Sequence, residues 1–122
     1  MVEPRRVLLV DDHDDARELL GVLVEMHGHE VVTAGNGASA IEIALAFRPH
    51  VAFIDIRLPD MEGFDVARAL RTRLQNECPR LIALSGLATT PESRDRALRE
   101  GFDEYVVKPI DAKRLEVLIT TS

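Results

Sequence analysis

The chain is poor in the residues that hold small secreted folds together, with one cysteine and no tryptophan in 122 residues. A lone Cys78 cannot close an internal disulfide, which fits a reducing cytoplasm and removes the disulfide-framework class. Long apolar runs are missing as well. No stretch approaches the roughly 18 residues of a membrane span, so no membrane insertion is expected. The opening MVEPRR leads into a strand-like run and not into the apolar segment of a signal peptide. An excess of positive charge is lacking too. The formal net charge is −6, whereas direct nucleic-acid binding ordinarily needs a basic face. The arginines are spread through helical stretches and read as solvated faces. There is no internal repeat, low-complexity tract or linker. Residues 1–5 read as a flexible N-terminal tail, and 6–120 as one domain of a size that a single core supports.

What is present is a regular alternation. Val7-Leu8-Leu9-Val10 is a short β-branched run that reads as a buried strand and stops at Asp11-Asp12. Asp14 or Asp15 then caps a helix whose apolar positions Ala16, Leu19, Leu20, Leu23 and Met26 fall at helical spacing, with Gly28 as its stop. Residues 30–34 read as a second strand. Asn36 caps a helix carrying Ala40, Ile41, Ala44 and Leu45, which ends before Pro49. A third strand, 51–54, stops at Asp55, and RLPDMEG leads into a helix with Gly63, Val66, Ala67, Leu70 and Leu74 on one face. A fourth strand, 81–84, ends in Ser85-Gly86. Thr90-Pro91 starts a fourth helix that offers only Ala97 and Leu98 to the core, followed by Gly101. The fifth strand, 104–107, ends in Lys108-Pro109, and Asp111 caps a last helix with Leu115, Leu118 and Ile119.

Five strand–helix repeats with continuous apolar strands predict an α/β fold, a single doubly wound domain whose parallel sheet is covered on both faces. Ligands of such sheets bind outside the carboxyl ends of the strands. Asp11, Asp12, Asp55, Ser85 and Lys108 all stand there. Each alone is read most simply as a turn former or cap, as are Asp14, Asp15 and Asp60. That reading does not explain why three carboxylates, a hydroxyl and an ammonium converge. Three acids in one pocket repel unless a cation sits among them. Hard carboxylate oxygens with no His or Cys partner suit Mg²⁺, and the lysine suits a phosphoryl group. His13 beside the acids could touch the metal, but it reads more simply as a solvent-facing loop histidine, and Cys78 is given no redox role, since only Arg80 is near enough in sequence to lower its pKa.

This series, with LPDMEGFDVAR after Asp55, resembles the response-regulator receiver domain of two-component signalling from about Arg6 to Ile119. The resemblance implies a flavodoxin-like (βα)5 domain with strand order 2-1-3-4-5. It implies Asp55 as phosphoacceptor, and Mg²⁺ held by Asp12 directly, by Asp11 mainly through water, by Asp55 and by the backbone carbonyl of Arg57. Ser85 and the Gly86 amide would bind the phosphoryl oxygens and Lys108 would pair with them. Ser85 and Tyr105 would carry the switch, and the bond before Pro109 would be cis, which only an X-Pro peptide makes cheap. The implied donor is a histidine kinase or histidine phosphotransfer protein. The implied output is a downstream target or a homodimer through the face formed by the fourth helix, fifth strand and fifth helix. The domain would promote its own phosphorylation and dephosphorylation without being an enzyme of metabolism.

Two other classes share parts of this pattern. A haloacid-dehalogenase-type phosphatase, Mg-dependent and with an aspartyl nucleophile, needs a second Asp two positions after the first, where Arg57 stands. A flavodoxin-like electron carrier needs a hydroxyl- and glycine-rich loop after the first strand, where this chain has acids. Arg57 and Leu87, two positions after Asp55 and Ser85, offer no carboxylate or amide to orient water, so slow dephosphorylation is expected. KPIDAKRLEVLI leans toward the receiver of a hybrid sensor kinase, with a stand-alone regulator as the other expectation. The ITTS ending, without a clear cap, reads as a cut from a longer chain.

Overall fold

The computed structural model describes residues 3–86 and 91–121. Its strands are β1 (Arg6–Val10), β2 (Glu30–Ala34), β3 (Val51–Asp55), β4 (Arg80–Ser85) and β5 (Glu104–Val107). They form one sheet in order β2-β1-β3-β4-β5, with every neighbouring pair parallel. Helices α1 (Asp14–Met26), α2 (Gly37–Phe47), α3 (Gly63–Leu74), α4 (Pro91–Arg99) and α5 (Ala112–Thr120) follow the strands in turn. The expected fold and strand order are those observed.

Alternation along the strands splits the core into two layers. Leu8, Val10, Ala52, Ile54, Leu81 and Ala83 pack with α2, α3 and α4. Val7, Leu9, Val51, Phe53, Ile82 and Leu84 pack with Val24 of α1 and with Leu115, Leu118 and Ile119 of α5. Central β3 is buried along its whole length, Asp55 included. The apolar strand therefore runs into its acid with no intervening turn.

Most helix ends follow the sequence reading. Asn36 accepts the Ser39 amide at 2.8 Å and Asp111 accepts the Arg114 amide at 2.7 Å, each satisfying an otherwise orphaned donor. Gly28 follows α1 with φ +87, a conformation that glycine adopts without strain. At the start of α1 the expectation fails. His13 occupies the cap position without a side-chain cap, while Asp14 and Asp15 fall in the first turn, where they favour the helix dipole.

The buried face of α1 also differs from the expected one. Gly21 and Val24 are buried, whereas Leu19 and Met26 are 61% and 75% exposed. Apolar residues occur around much of this helix, so their spacing does not select a side. Gly21 is buried against β2, where an added Cβ would make ordinary contact with Thr33 Cγ2 at 3.8 Å. On α4 only Ala97 is buried, and Leu98, expected in the core, is 42% exposed. Thr90, expected to begin that helix, lies outside the described residues.

Candidate functional site

The site is built at the carboxyl edge of the sheet. The Asp11 amide donates to Ala34 O at 3.1 Å, extending the β1–β2 pairing by one residue, and Arg17 Nη1 donates to Asp11 O at 2.6 Å. The Asp11 side chain is thus fixed at the rim and almost wholly buried. Its Oδ1 accepts the His13 amide at 2.9 Å, a turn of the kind aspartates form two residues ahead. Asp55 repeats the device, with Oδ1 accepting the Arg57 amide at 3.1 Å.

Lys108 joins the two acids. Its Nζ donates to Asp11 Oδ2 at 3.0 Å and to Asp55 Oδ2 at 2.7 Å. The Lys108 amide donates to Ser85 O at 2.7 Å, and the Lys108–Pro109 peptide is cis. Burial pulls the lysine's pKa down, but hydrogen bonds and charge from Asp55 and Asp11 outweigh it and hold the group above its ordinary value. Burial pushes Asp11 up, but the His13 amide and Lys108 outweigh that and hold its carboxyl low. Both groups are charged at neutral pH. Asp11's share of stability is present above its ordinary carboxylate range and lost as pH falls through its lowered pKa.

Asp12 is exposed beside this buried pair. One ligating atom from each of Asp11, Asp12, His13 and Asp55 lies within 4.8 Å of the others. Three carboxylates against one lysine leave net negative charge, and their oxygens are the donors that Mg²⁺ takes. The donor set therefore fits the expected cation.

Next to the acids opens a cavity of ≈ 620 Å³ lined by Asp55, Arg57, Ser85, Gly86, Arg96 and Tyr105 among others. Ser85 and Tyr105 are both buried there. The structure thus brings together every expected site residue it describes. Leu87 lies outside the described residues.

Some contributions were not foreseen from sequence. Asp60, read as a turn residue, accepts the amides of Gly37 and Ala38 at 2.8 and 2.9 Å and so caps α2 from the β3–α3 loop. Those two amides hold its carboxyl below the usual range. Gly63 closes the same loop. Its amide donates to Ile56 O at 2.6 Å, and a Cβ there would stand 2.4 Å from Asp55 O. From α4, the Arg96 guanidinium lies 4.2 Å over the Phe64 ring and 3.7 Å from Glu62. The only sequence signal for these contacts is residue type, because their partners are distant in the chain.

The chain matches a family model described as the response regulator receiver domain over residues 7–120. It is 37% identical over 114 residues to the probable transcriptional regulatory protein TcrX of Mycobacterium tuberculosis, covering 93% of this chain and 47% of that protein. The chain thus spans about half the length of this relative, as it does of a second curated relative, of which it covers 48%. Among solved structures it resembles the chemotaxis response regulator CheY4 of Vibrio cholerae, with TM-score 0.88, 28% identity and 98% of each chain covered. It shares its fold with the receiver domain of Saccharomyces cerevisiae Ssk1, crystallised with the histidine phosphotransfer protein Ypd1, at TM-score 0.91 and 24% identity over 98% of this chain and 89% of that one. With five parallel strands in this order and the acids, hydroxyl and lysine at one sheet edge, the chain belongs to the response regulator receiver domain family, the phosphoacceptor modules of two-component signalling.

Proposed function

We propose that Asp55 is the phosphoacceptor, charged by a histidine kinase or a histidine phosphotransfer protein. The observation that carries this reading is the position of its carboxylate: buried at the end of β3, held by Lys108, and lining a cavity with Ser85 and Gly86. In the transfer, an Asp55 oxygen forms the new bond to phosphorus. The phosphorus–nitrogen bond of the donor breaks, and the imidazole nitrogen keeps the electron pair and takes up a proton. Anion approaching anion is the main obstacle, so positioned positive charge is the main help. Lys108 already faces Asp55 and would follow the phosphoryl group, with the Ser85 hydroxyl and Gly86 amide as further donors. Asp12 directly, Asp11 through water, Asp55 and the Arg57 carbonyl would hold Mg²⁺. When bound, that ion would supply further positive charge for the transferring oxygens. Arg57 offers no carboxylate where an aspartyl-nucleophile phosphatase has its acid–base group, which favours a switch over a phosphatase.

Helix α1 begins directly after the acids and exposes Leu19, Val22 and Met26. That surface suits the docking of a donor protein, and a partner like the one crystallised with Ssk1 is part of the proposal. Ser85 and Tyr105 would pass the change to the α4–β5–α5 face, the proposed surface for a downstream target or a second copy. Among the described residues no helix is long and apolar enough to cross a membrane, and a cytoplasmic setting is proposed. The sequence KPIDAKRLEVLI supports attachment to a hybrid sensor kinase. The full reading frame tests that point, and a DNA-binding domain following residue 122 would overturn it.

The central experiment is mass spectrometry after incubation with Mg²⁺ and acetyl phosphate. The wild type should gain one phosphoryl unit and Asp55→Asn none. A wild type that stays unmodified overturns the reading.

A further inference from the structure

Arg57 and Arg96 both line the cavity of ≈ 620 Å³ beside Asp55. Arg57 follows the acid closely in the chain, whereas Arg96 reaches the cavity from α4. The Arg96 guanidinium lies 4.2 Å over the Phe64 ring and 3.7 Å from Glu62. Among the described residues it makes no hydrogen bond. Arg68, Arg71 and Arg80 differ, since their guanidinium groups donate to Glu100, Asp103 and Glu104. Arg96 thus brings to the cavity a fork of N–H donors that no protein acceptor has taken.

We propose that Arg96 is a further ligand of the phosphoryl group, one that ties α4 to the phosphorylation of Asp55. The inference rests on the reading that Asp55 is the phosphoacceptor. Phosphorylation brings negative charge and further acceptor oxygens into a cavity whose lining already holds Glu62 and Glu92. Lys108 meets part of that charge, and Arg96 is placed to meet more. A planar guanidinium pairs with phosphate oxygens bidentately, and such charge-assisted bonds are roughly twice as strong as neutral ones. What Arg96 gives up is weaker. Its pair with Glu62 joins side chains 52% and 58% exposed, where water and salt screen the attraction. Water reaches the guanidinium above the Phe64 ring too, which keeps that contact weak. The exchange therefore runs toward the phosphoryl group. Its consequence falls on α4, because Arg96 adjoins Ala97, the one residue that this helix buries. The side chain that fastens α4 to Glu62 and Phe64 in the unmodified protein would pull it toward the sheet edge in the phosphorylated one.

Beryllofluoride with Mg²⁺ mimics the phosphoryl group and tests this by arginine side-chain NMR. In the free wild type, the Phe64 ring should set the Arg96 Nε–H resonance apart from those of the other arginines. Beryllofluoride should remove that ring shift in the wild type and leave it in Asp55→Asn. Arg96→Ala should bind beryllofluoride at least about tenfold more weakly than the wild type, the worth of one charge-assisted hydrogen bond. Phe64→Leu removes the ring and keeps the guanidinium, so it should bind as tightly as the wild type or more so. Beryllofluoride binding that leaves the Arg96 resonance in place overturns the inference alone. Equal weakening in Arg96→Ala and Phe64→Leu does the same, since it marks a packing role. A wild type that binds no beryllofluoride and takes nothing from acetyl phosphate overturns the phosphoacceptor reading and the inference together.

Discussion

Helices α3 and α4 cover the same face of the sheet, yet different forces hold them. In α3, Gly63, Phe64, Val66, Ala67, Leu70 and Leu74 are buried, a full apolar stripe. In α4 only Ala97 is. Besides Ala97, what fastens α4 itself is mostly charge: Arg96 to Glu62 and the Phe64 ring, and Arg94 to Glu104 at 4.0 Å. The turn after it combines the Glu100–Arg68 pair with Phe102 buried against Phe64. Burial is short-ranged and unforgiving, so α3 fixes the loop that follows Asp55. Exposed ion pairs are each worth about 0–1 kcal/mol and re-form in new geometries. A segment held that way is drawn from the low end of local stability, where moving parts are found. The contrast marks α3 as scaffold and α4 as the less firmly held element.

The sharpest test is Leu70→Ala. A fully buried leucine cut to alanine costs about 2–5 kcal/mol, and urea melts should show a loss of about 3 kcal/mol. On α4, Leu98→Ala should cost under about 0.5 kcal/mol. Similar losses in both would end the distinction.

Asp60→Ala comes next, with an expected loss of about 1 kcal/mol, typical of a removed cap. Its pH dependence has a definite sign. The Asp60 carboxyl is held below its ordinary value of 3.8. Its stabilisation is therefore present above pH 3.8 and fades as pH falls through the lowered pKa. Melts of wild type and variant should converge in acid. A constant gap would mean that the side chain acts through packing and not through charge.

Arg96→Ala should change global stability by less than about 1 kcal/mol, since it removes one exposed cation–π contact and one exposed ion pair. Hydrogen exchange should nonetheless quicken several-fold over residues 93–99 and stay unchanged in α3. Equal effects on both helices would show that Arg96 braces the scaffold. The smallest effect is that of salt. Raising ionic strength to about 1 M shortens the screening length to about 3 Å, so protection in α4 should fall slightly and that of α3 should not.

The scaffold was the more legible of the two in the sequence. Strand runs are continuously apolar and the α3 stripe is periodic, and both patterns report burial directly. The rim acids and Lys108 were legible because a polar residue ending an apolar strand is a local signal. What escaped depends on distant partners. Asp60 reads as a turn until Gly37 is seen beside it. Arg96 reads as a solvated arginine until Phe64 is. The side on which α1 packs was hidden because Leu19, Leu20, Val22, Leu23 and Met26 spread apolar surface around the helix, and Gly21 and Val24 prove to be its buried positions. His13 looked like an ordinary loop residue because sequence gives no ring orientation.

The far end of β1 carries its own chemistry. His29 Nδ1 accepts the Arg5 amide at 3.0 Å, and His50 Nδ1 accepts the Arg6 amide at 2.8 Å. An imidazole accepts at Nδ1 only while that nitrogen carries no proton. Burial, with Arg6 and Arg5 nearby, holds His50 below its ordinary value of 6.5 against a weaker pull from Glu3. An unfolded chain takes up that proton first, so acidification below about pH 6.5 drains stability from the strand's amino end. Asp11, at its other end, is held below the ordinary carboxylate range and keeps its charge until far lower pH. Mild acid therefore loosens the amino end of β1 while the Asp11–Lys108 pair at its carboxyl end stays charged, so the two ends of one strand answer to different ranges of pH.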